Sequence, residues 1–109
     1  MFQKKTRLSR ADIHSLITSG RAVNSQHFSA RFNTSSKPSK CAVVVSKKVA
    51  SKAVERNTLK RRMRASLLTA LNGLSGCNIV LFARKGANSL SFSELQEEVA
   101  ALIGNIHTS

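Results

Sequence analysis

Acidic residues are scarce in this chain of 109 residues: five Asp and Glu stand against 18 Lys and Arg, a formal charge of +13. Solubility needs far less charge and tolerates mixed signs, so the imbalance points to a polyanionic partner. Cysteine is scarce too. Cys41 and Cys77 each lack a second Cys or a His at metal-ligand spacing, which supports neither a metal site nor a disulfide framework and leaves them as small buried residues in or beside strands. Trp and Tyr are missing and only five Phe are present. The basic segment therefore lacks the large aromatic face of an interfacial membrane helix, which favours nucleic acid over a lipid surface. No apolar run is long enough to span a bilayer, and Met1-Phe2-Gln3-Lys4-Lys5 leads into polar sequence rather than a signal-peptide core. A cytoplasmic location is the expectation. His14, His27 and His107 are scattered, with no carboxylate partner at useful spacing, so no catalytic residue and no metal site are expected in the chain itself.

What is present is unevenly placed. All 18 cations lie at or before Lys85, opposed there by Asp12 and Glu55 alone, while Glu94, Glu97 and Glu98 cluster near the end. The length and a 41% hydrophobic content fit one domain over residues 1–109 with a modest core. Ser9 and Asp12 resemble a capping box, Ile13, Leu16 and Ile17 form an i, i+3, i+4 stripe, and Gly20 can end the turn, which predicts a helix over about 9–19. From His27 to Asn33 the pattern alternates, with Phe28, Ala30 and Phe32 on one face, as in a half-buried strand. A polar loop over 33–40 with the single proline should turn this strand into a hairpin with the next, Cys41–Ser46. That strand is continuously apolar and reads as the centre of the sheet.

Ser51 is expected to cap a long helix over about 52–71 that Asn72-Gly73 stops. A third apolar strand follows at 78–83. Ser91 and Glu94 form a capping box for a last helix with Phe92, Leu95, Val99, Leu102 and Ile103 on its apolar face, ended by Gly104. The order is helix, strand, strand, helix, strand, helix. A strand, long helix, strand unit favours parallel neighbours and the loop an antiparallel hairpin, so a mixed sheet packed with helices is expected.

Eight of the cations lie between Lys47 and Arg64. At 100° per residue Leu59, Met63, Leu67 and Ala70 share a narrow stripe, while Arg56, Lys60, Arg64, Asn57 and Arg61 fan over an adjoining arc of about 140°. The helix can dock and still present charge, until Leu68 and Leu71 take over the arc. Guanidinium forks grip phosphate bidentately, Asn57 can meet a sugar or base edge, and Lys47, Lys48 and Lys52 sit upstream where the helix start points free amides outward. Cations at i, i+4 spacing without Glu partners repel one another, which a bound polyanion relieves. A solvated charged face is the bland alternative.

The segment Val45-Ser46-Lys47-Lys48, then Ala53-Val54-Glu55-Arg56-Asn57, then Lys60-Arg61 and Arg64, closely resembles the signature of the bacterial ribonuclease P protein component. Leu8 with the first helix and Gly20, and Val80-Leu81-Phe82-Ala83-Arg84-Lys85 as third strand, extend the resemblance over essentially the whole chain. It implies an α/β (α+β) sandwich similar to ribosomal protein S5 domain 2, in the order α-β-β-α-β-α. It also implies a left-handed βαβ crossover, against the general rule. The resemblance further implies assembly with a large catalytic RNA that removes the 5′ leader from precursor tRNA. There the RNA performs the hydrolysis with bound Mg2+, and the protein holds no cofactor tightly. Matched residue by residue, Arg56, Asn57, Lys60, Arg61 and Arg64 fall on the motif that faces the catalytic RNA and precursor. Lys47 and Lys48 fall at its edge, where the family also places phosphate and metal contacts. A second family site, the cleft holding the single-stranded leader, maps to Ile13, Ile17 and about Arg31. Many relatives carry aromatic residues at these places; the two isoleucines equally suit the core of an amphipathic helix.

Two other readings compete. A structural ribosomal protein or RNA chaperone of similar fold would share the composition, and a basic helix could enter a DNA major groove. The DNA reading requires discrimination between duplex sequences, whereas phosphate-led RNA binding requires weak sequence dependence and a steep salt dependence.

Overall fold

Phe28, Ala30 and Phe32 alternate into the core along the strand β2, Phe28–Thr34, and around it the rest of the sheet is built. The computed structural model describes residues 10–34, 40–71 and 77–105. Its elements are α1 (Arg10–Ser19), β1 (Arg21–Asn24), β2, β3 (Lys40–Val44), α2 (Ala53–Leu71), β4 (Cys77–Ala83), a 3-10 turn at Ala87–Ser89 and α3 (Phe92–Gly104). Ser9, most of the 33–40 loop and the Asn72-Gly73 stop lie outside the described residues.

The sheet order is β1-β2-β4-β3. β4 is its pivot, antiparallel to β2 with Ala30 opposite Leu81 and parallel to β3 with Val43 opposite Leu81. The mixed sheet and the parallel β3-α2-β4 unit follow the sequence expectation, but three features depart from it. The predicted hairpin between β2 and β3 does not form, because β4 lies between them; β2 instead turns back on β1, Val23 opposite Ala30. β3 is an edge strand rather than the centre. Its apolar character reflects a helical layer on each face: Cys41 and Val43 join the core under α2 and α3, while Ala42 and Val44 join the cluster around Leu16 of α1. The third departure is β1, which makes the order α-β-β-β-α-β-α. Four residues with a single large apolar side chain, Val23, carry no readable period.

The larger core joins Phe28, Phe32, Leu59, Met63, Leu67, Ile79, Leu81, Leu95, Val99 and Leu102, all at most 4% exposed. α3 is held at its start by the predicted capping box, Glu94 N–H donating to Ser91 Oγ at 3.1 Å and Ser91 N–H to Glu94 Oε1 at 3.0 Å. Gly20 links α1 to β1 directly, its N–H donating to the Leu16 carbonyl at 2.9 Å. A Cβ there would stand 2.5 Å from that oxygen, so the close approach requires glycine.

Candidate nucleic-acid interface

α2 docks through Leu59, Met63, Ser66, Leu67 and Leu71, all buried. The arc beside this stripe carries Arg56, Lys60 and Arg64, half-buried, with Asn57 and Arg61 exposed. None of the cations from Lys47 to Arg64 forms an ion pair among the described residues. Arg62 takes the other flank, where with Glu55 and Thr58 it borders a groove against Ala87, Asn88 and Leu90. Leu68, 37% exposed, closes the polar arc toward the end of the helix.

Upstream of α2, buried Val45 and Ala50 pin a turn whose tip bears the exposed Lys47 and Lys48. The Ser46 carbonyl accepts from Val49 N–H at 3.1 Å and Ala50 N–H at 3.2 Å. Ser51 does not begin the helix. α2 starts at Ala53, and its first bond runs from Arg56 N–H to the Lys52 carbonyl at 3.0 Å. The carbonyls of Ala50 and Ser51 instead accept from Arg56 Nη1, at 3.1 and 2.8 Å.

Parallel pairing of β3 with β4, Val44 opposite Phe82, makes both strands leave the sheet at the same end. Arg84 and Lys85, exposed, therefore follow β4 at the same end of the sheet as Lys47 and Lys48 follow β3. Sequence reasoning left these two cations out of the site, since only the strand register brings them there. Arg84 is anchored: its N–H donates to the His27 carbonyl at 2.7 Å and its Nη1 to the Ser25 carbonyl at 2.8 Å. Gly86 follows in the left-handed region, φ 95°, and packs against the His27 ring.

His27 does have a carboxylate partner, contrary to expectation, and it lies 71 positions away. Glu98 on α3 accepts from His27 N–H at 2.7 Å and from Ser25 Oγ, and its other oxygen lies 2.7 Å from His27 Nδ1. Burial pushes this carboxyl up, but the hydrogen bonds from Ser25 and His27 and the neighbouring imidazole outweigh it and leave its pKa below the ordinary carboxylate value. The pair fastens the β1–β2 turn to α3, and the imidazole edge beyond Nδ1 meets Gly86. Its role is to hold the fold.

On the opposite face of the sheet, Leu16 is buried, Ile13 is half-buried against it, and Ile17 stands 44% exposed. Arg31 Nη1 donates to the Ile17 carbonyl at 3.2 Å, so this pair of the predicted cleft residues meets. Ile17 is thus no plain core residue. Among the described residues the aromatic side chain of this face is Phe82 from β4, half-buried against the Leu16 cluster. Its place was hidden within an apolar run that reads as buried throughout.

Cys41 and Cys77 are buried free thiols, and burial raises both, Cys41 to about 12. They are packing residues. No helix among the described residues is long and apolar enough to cross a membrane, and they contain no group of three or more His, Cys, Asp or Glu able to hold a metal ion.

A family model described as Ribonuclease P matches residues 2–107. The chain is 36% identical over 104 residues to the ribonuclease P protein component of Desulfosudis oleivorans, covering 93% of this chain and 85% of that one. Among solved structures it is similar to the RNase P protein of Thermotoga maritima, at 26% identity and TM-score 0.80 over 91% of this chain and 96% of that one. The RNase P protein of Staphylococcus aureus shares the fold at TM-score 0.85 and 22% identity, over 94% and 96% of the two chains.

Proposed function

The chain belongs to the ribonuclease P protein family, and we propose that it binds the RNA subunit of that ribonucleoprotein through the corner formed by Lys47, Lys48, Lys52 and the Arg56, Asn57, Lys60, Arg61, Arg64 arc. As a ribonuclease P protein component it serves tRNA processing. In this reading the RNA subunit performs the hydrolysis with Mg2+ held by its own phosphates, and the protein lowers the repulsion between that RNA and precursor tRNA. The assembly works in the cytoplasm. The 5′ leader of the precursor lies in the cleft beside Ile13, Ile17 and Arg31, with Phe82 offering the ring that stacks on a base in place of aromatic residues on α1.

One observation carries the reading: α2 buries one stripe and on the adjoining arc carries a row of cations that, Arg56 apart, have no polar partner among the described residues, next to the exposed Lys47 and Lys48. Such an array is costly in the free protein and is neutralised by phosphates. Mixing the protein with a bacterial ribonuclease P RNA and a precursor tRNA at low magnesium tests it. Stimulated cleavage at the mature 5′ end is expected, and no stimulation there would reject the proposal.

A further inference from the structure

We propose that Arg56 is the positioning residue of the basic corner: beyond the charge it carries, its guanidinium holds the 46–52 turn in the shape that presents Lys47 and Lys48 to the RNA. The functional half of this inference rests on the RNA-binding reading above; the structural half rests on geometry alone. Three consecutive carbonyls converge on one residue. Arg56 Nη1 donates to Ala50 and Ser51 at 3.1 and 2.8 Å, and Arg56 N–H donates to Lys52 at 3.0 Å. No other hydrogen bond reaches the Ala50 or Ser51 carbonyl among the described residues.

The turn needs such a clamp. On its near side the turn is closed only by the Ser46 carbonyl, which accepts from Val49 N–H at 3.1 Å and Ala50 N–H at 3.2 Å, at the long end of the ordinary range. Lys47 and Lys48 are adjacent, exposed and without an ion pair, with Lys52 nearby, so electrostatics pushes the segment open. Two charge-assisted bonds from one planar group oppose that push. Because only Nη1 is engaged, the side-on edge formed by Nε–H and Nη2 stays free for a phosphate, already oriented. A lysine would keep the charge but, as a point donor on a flexible stem, could not fix two carbonyls and offer a fork at once.

The test compares the intact chain with Arg56→Lys, Arg56→Ala and the Lys47→Ala/Lys48→Ala double variant, reading amide exchange in the free protein and binding of ribonuclease P RNA against salt. In Arg56→Lys, protection of the Val49 and Ala50 amides is expected to fall about ten-fold, the loss of roughly one hydrogen bond's closure. RNA affinity should fall about ten-fold although the charge is kept, with the salt slope changed by less than about one. The Lys47→Ala/Lys48→Ala change should cost less in the Arg56→Lys background than alone. Parental protection and affinity in Arg56→Lys would overturn the proposal, as would an equal loss of protection at every amide with a lowered melting temperature, which marks general destabilisation. If the double lysine variant binds RNA like the parent, the RNA reading and the functional half fail, while the exchange result still decides the clamp.

Discussion

α2 and α3 pack side by side on the same sheet face, yet they use charge in opposite ways. The acids of α3 are largely engaged inside the molecule: Glu94 closes the capping box with Ser91, and Glu98 fastens the β1–β2 turn through Ser25 and His27. The cations of α2, Arg56 apart, have no polar partner among the described residues. Internal partners make a charge part of the fold, whereas charges left without them are available to a ligand. The comparison separates residues that hold the structure from residues that await RNA, although both helices look amphipathic.

The largest expected effect breaks the α2 side. Replacing Lys60, Arg61 and Arg64 together by Ala should weaken RNA binding about a hundred-fold at low salt and flatten the parental log K against log salt slope, roughly 3.5 to 4.5 for five phosphate contacts, by about two. The melting temperature should hold or rise as self-repulsion falls; a cooperative loss of fold would contradict the division. On the α3 side, Glu98→Ala should cost about 2 kcal/mol of stability in chemical denaturation, since three donors lose their acceptor, with the salt slope of RNA binding unchanged. Because the folded-state pKa values of Glu98 and Glu94 lie below the ordinary 4.5, their contribution is complete above that value and fades as pH falls through the folded values. Melting curves from neutral pH downward should show this acid loss, and Glu98→Gln should remove part of it.

Smaller effects sharpen the same contrast. Gly20→Ala places a Cβ against the Leu16 carbonyl and should cost about 2 kcal/mol, read by thermal unfolding. Ser91→Ala removes the α3 cap at about 1 kcal/mol without altering RNA affinity. Ser66, 3% exposed with no partner for its hydroxyl among the described residues, should behave the other way: Ser66→Ala is expected to leave stability unchanged or raise it by up to about 1 kcal/mol in denaturant titrations.

How much of this was legible beforehand differs by kind of signal. The helices were readable because their apolar stripes, the Ser91 and Glu94 box of α3 and Gly20 act within a few residues, although Ser51 does not cap α2, and the docked stripe of α2 with its basic arc is a matter of angles along one helix. β1 was not, being too short to show a period. The pairing of β2 with β4 was not, because the alternation of Phe28, Ala30 and Phe32 shows which face is buried but not which strand lies alongside. β3 illustrates the same limit: an apolar run reports that both faces are covered, and an edge strand between two helical layers satisfies that as well as a central one.

The sequence by itself determined that this is a basic chain with one docked, cation-bearing helix, and the interval from Arg56-Asn57 to Lys60-Arg61 carried the resemblance to its family, because those properties are written in neighbouring residues. Tertiary structure alone decided what non-neighbouring residues do for one another. It set Glu98 against His27, put Arg84 and Lys85 at the same end of the sheet as Lys47 through the strand register, seated Phe82 beside α1, and turned Arg56 back onto the carbonyls of Ala50 and Ser51. Each of these depends on a distance in space that no spacing along the chain encodes.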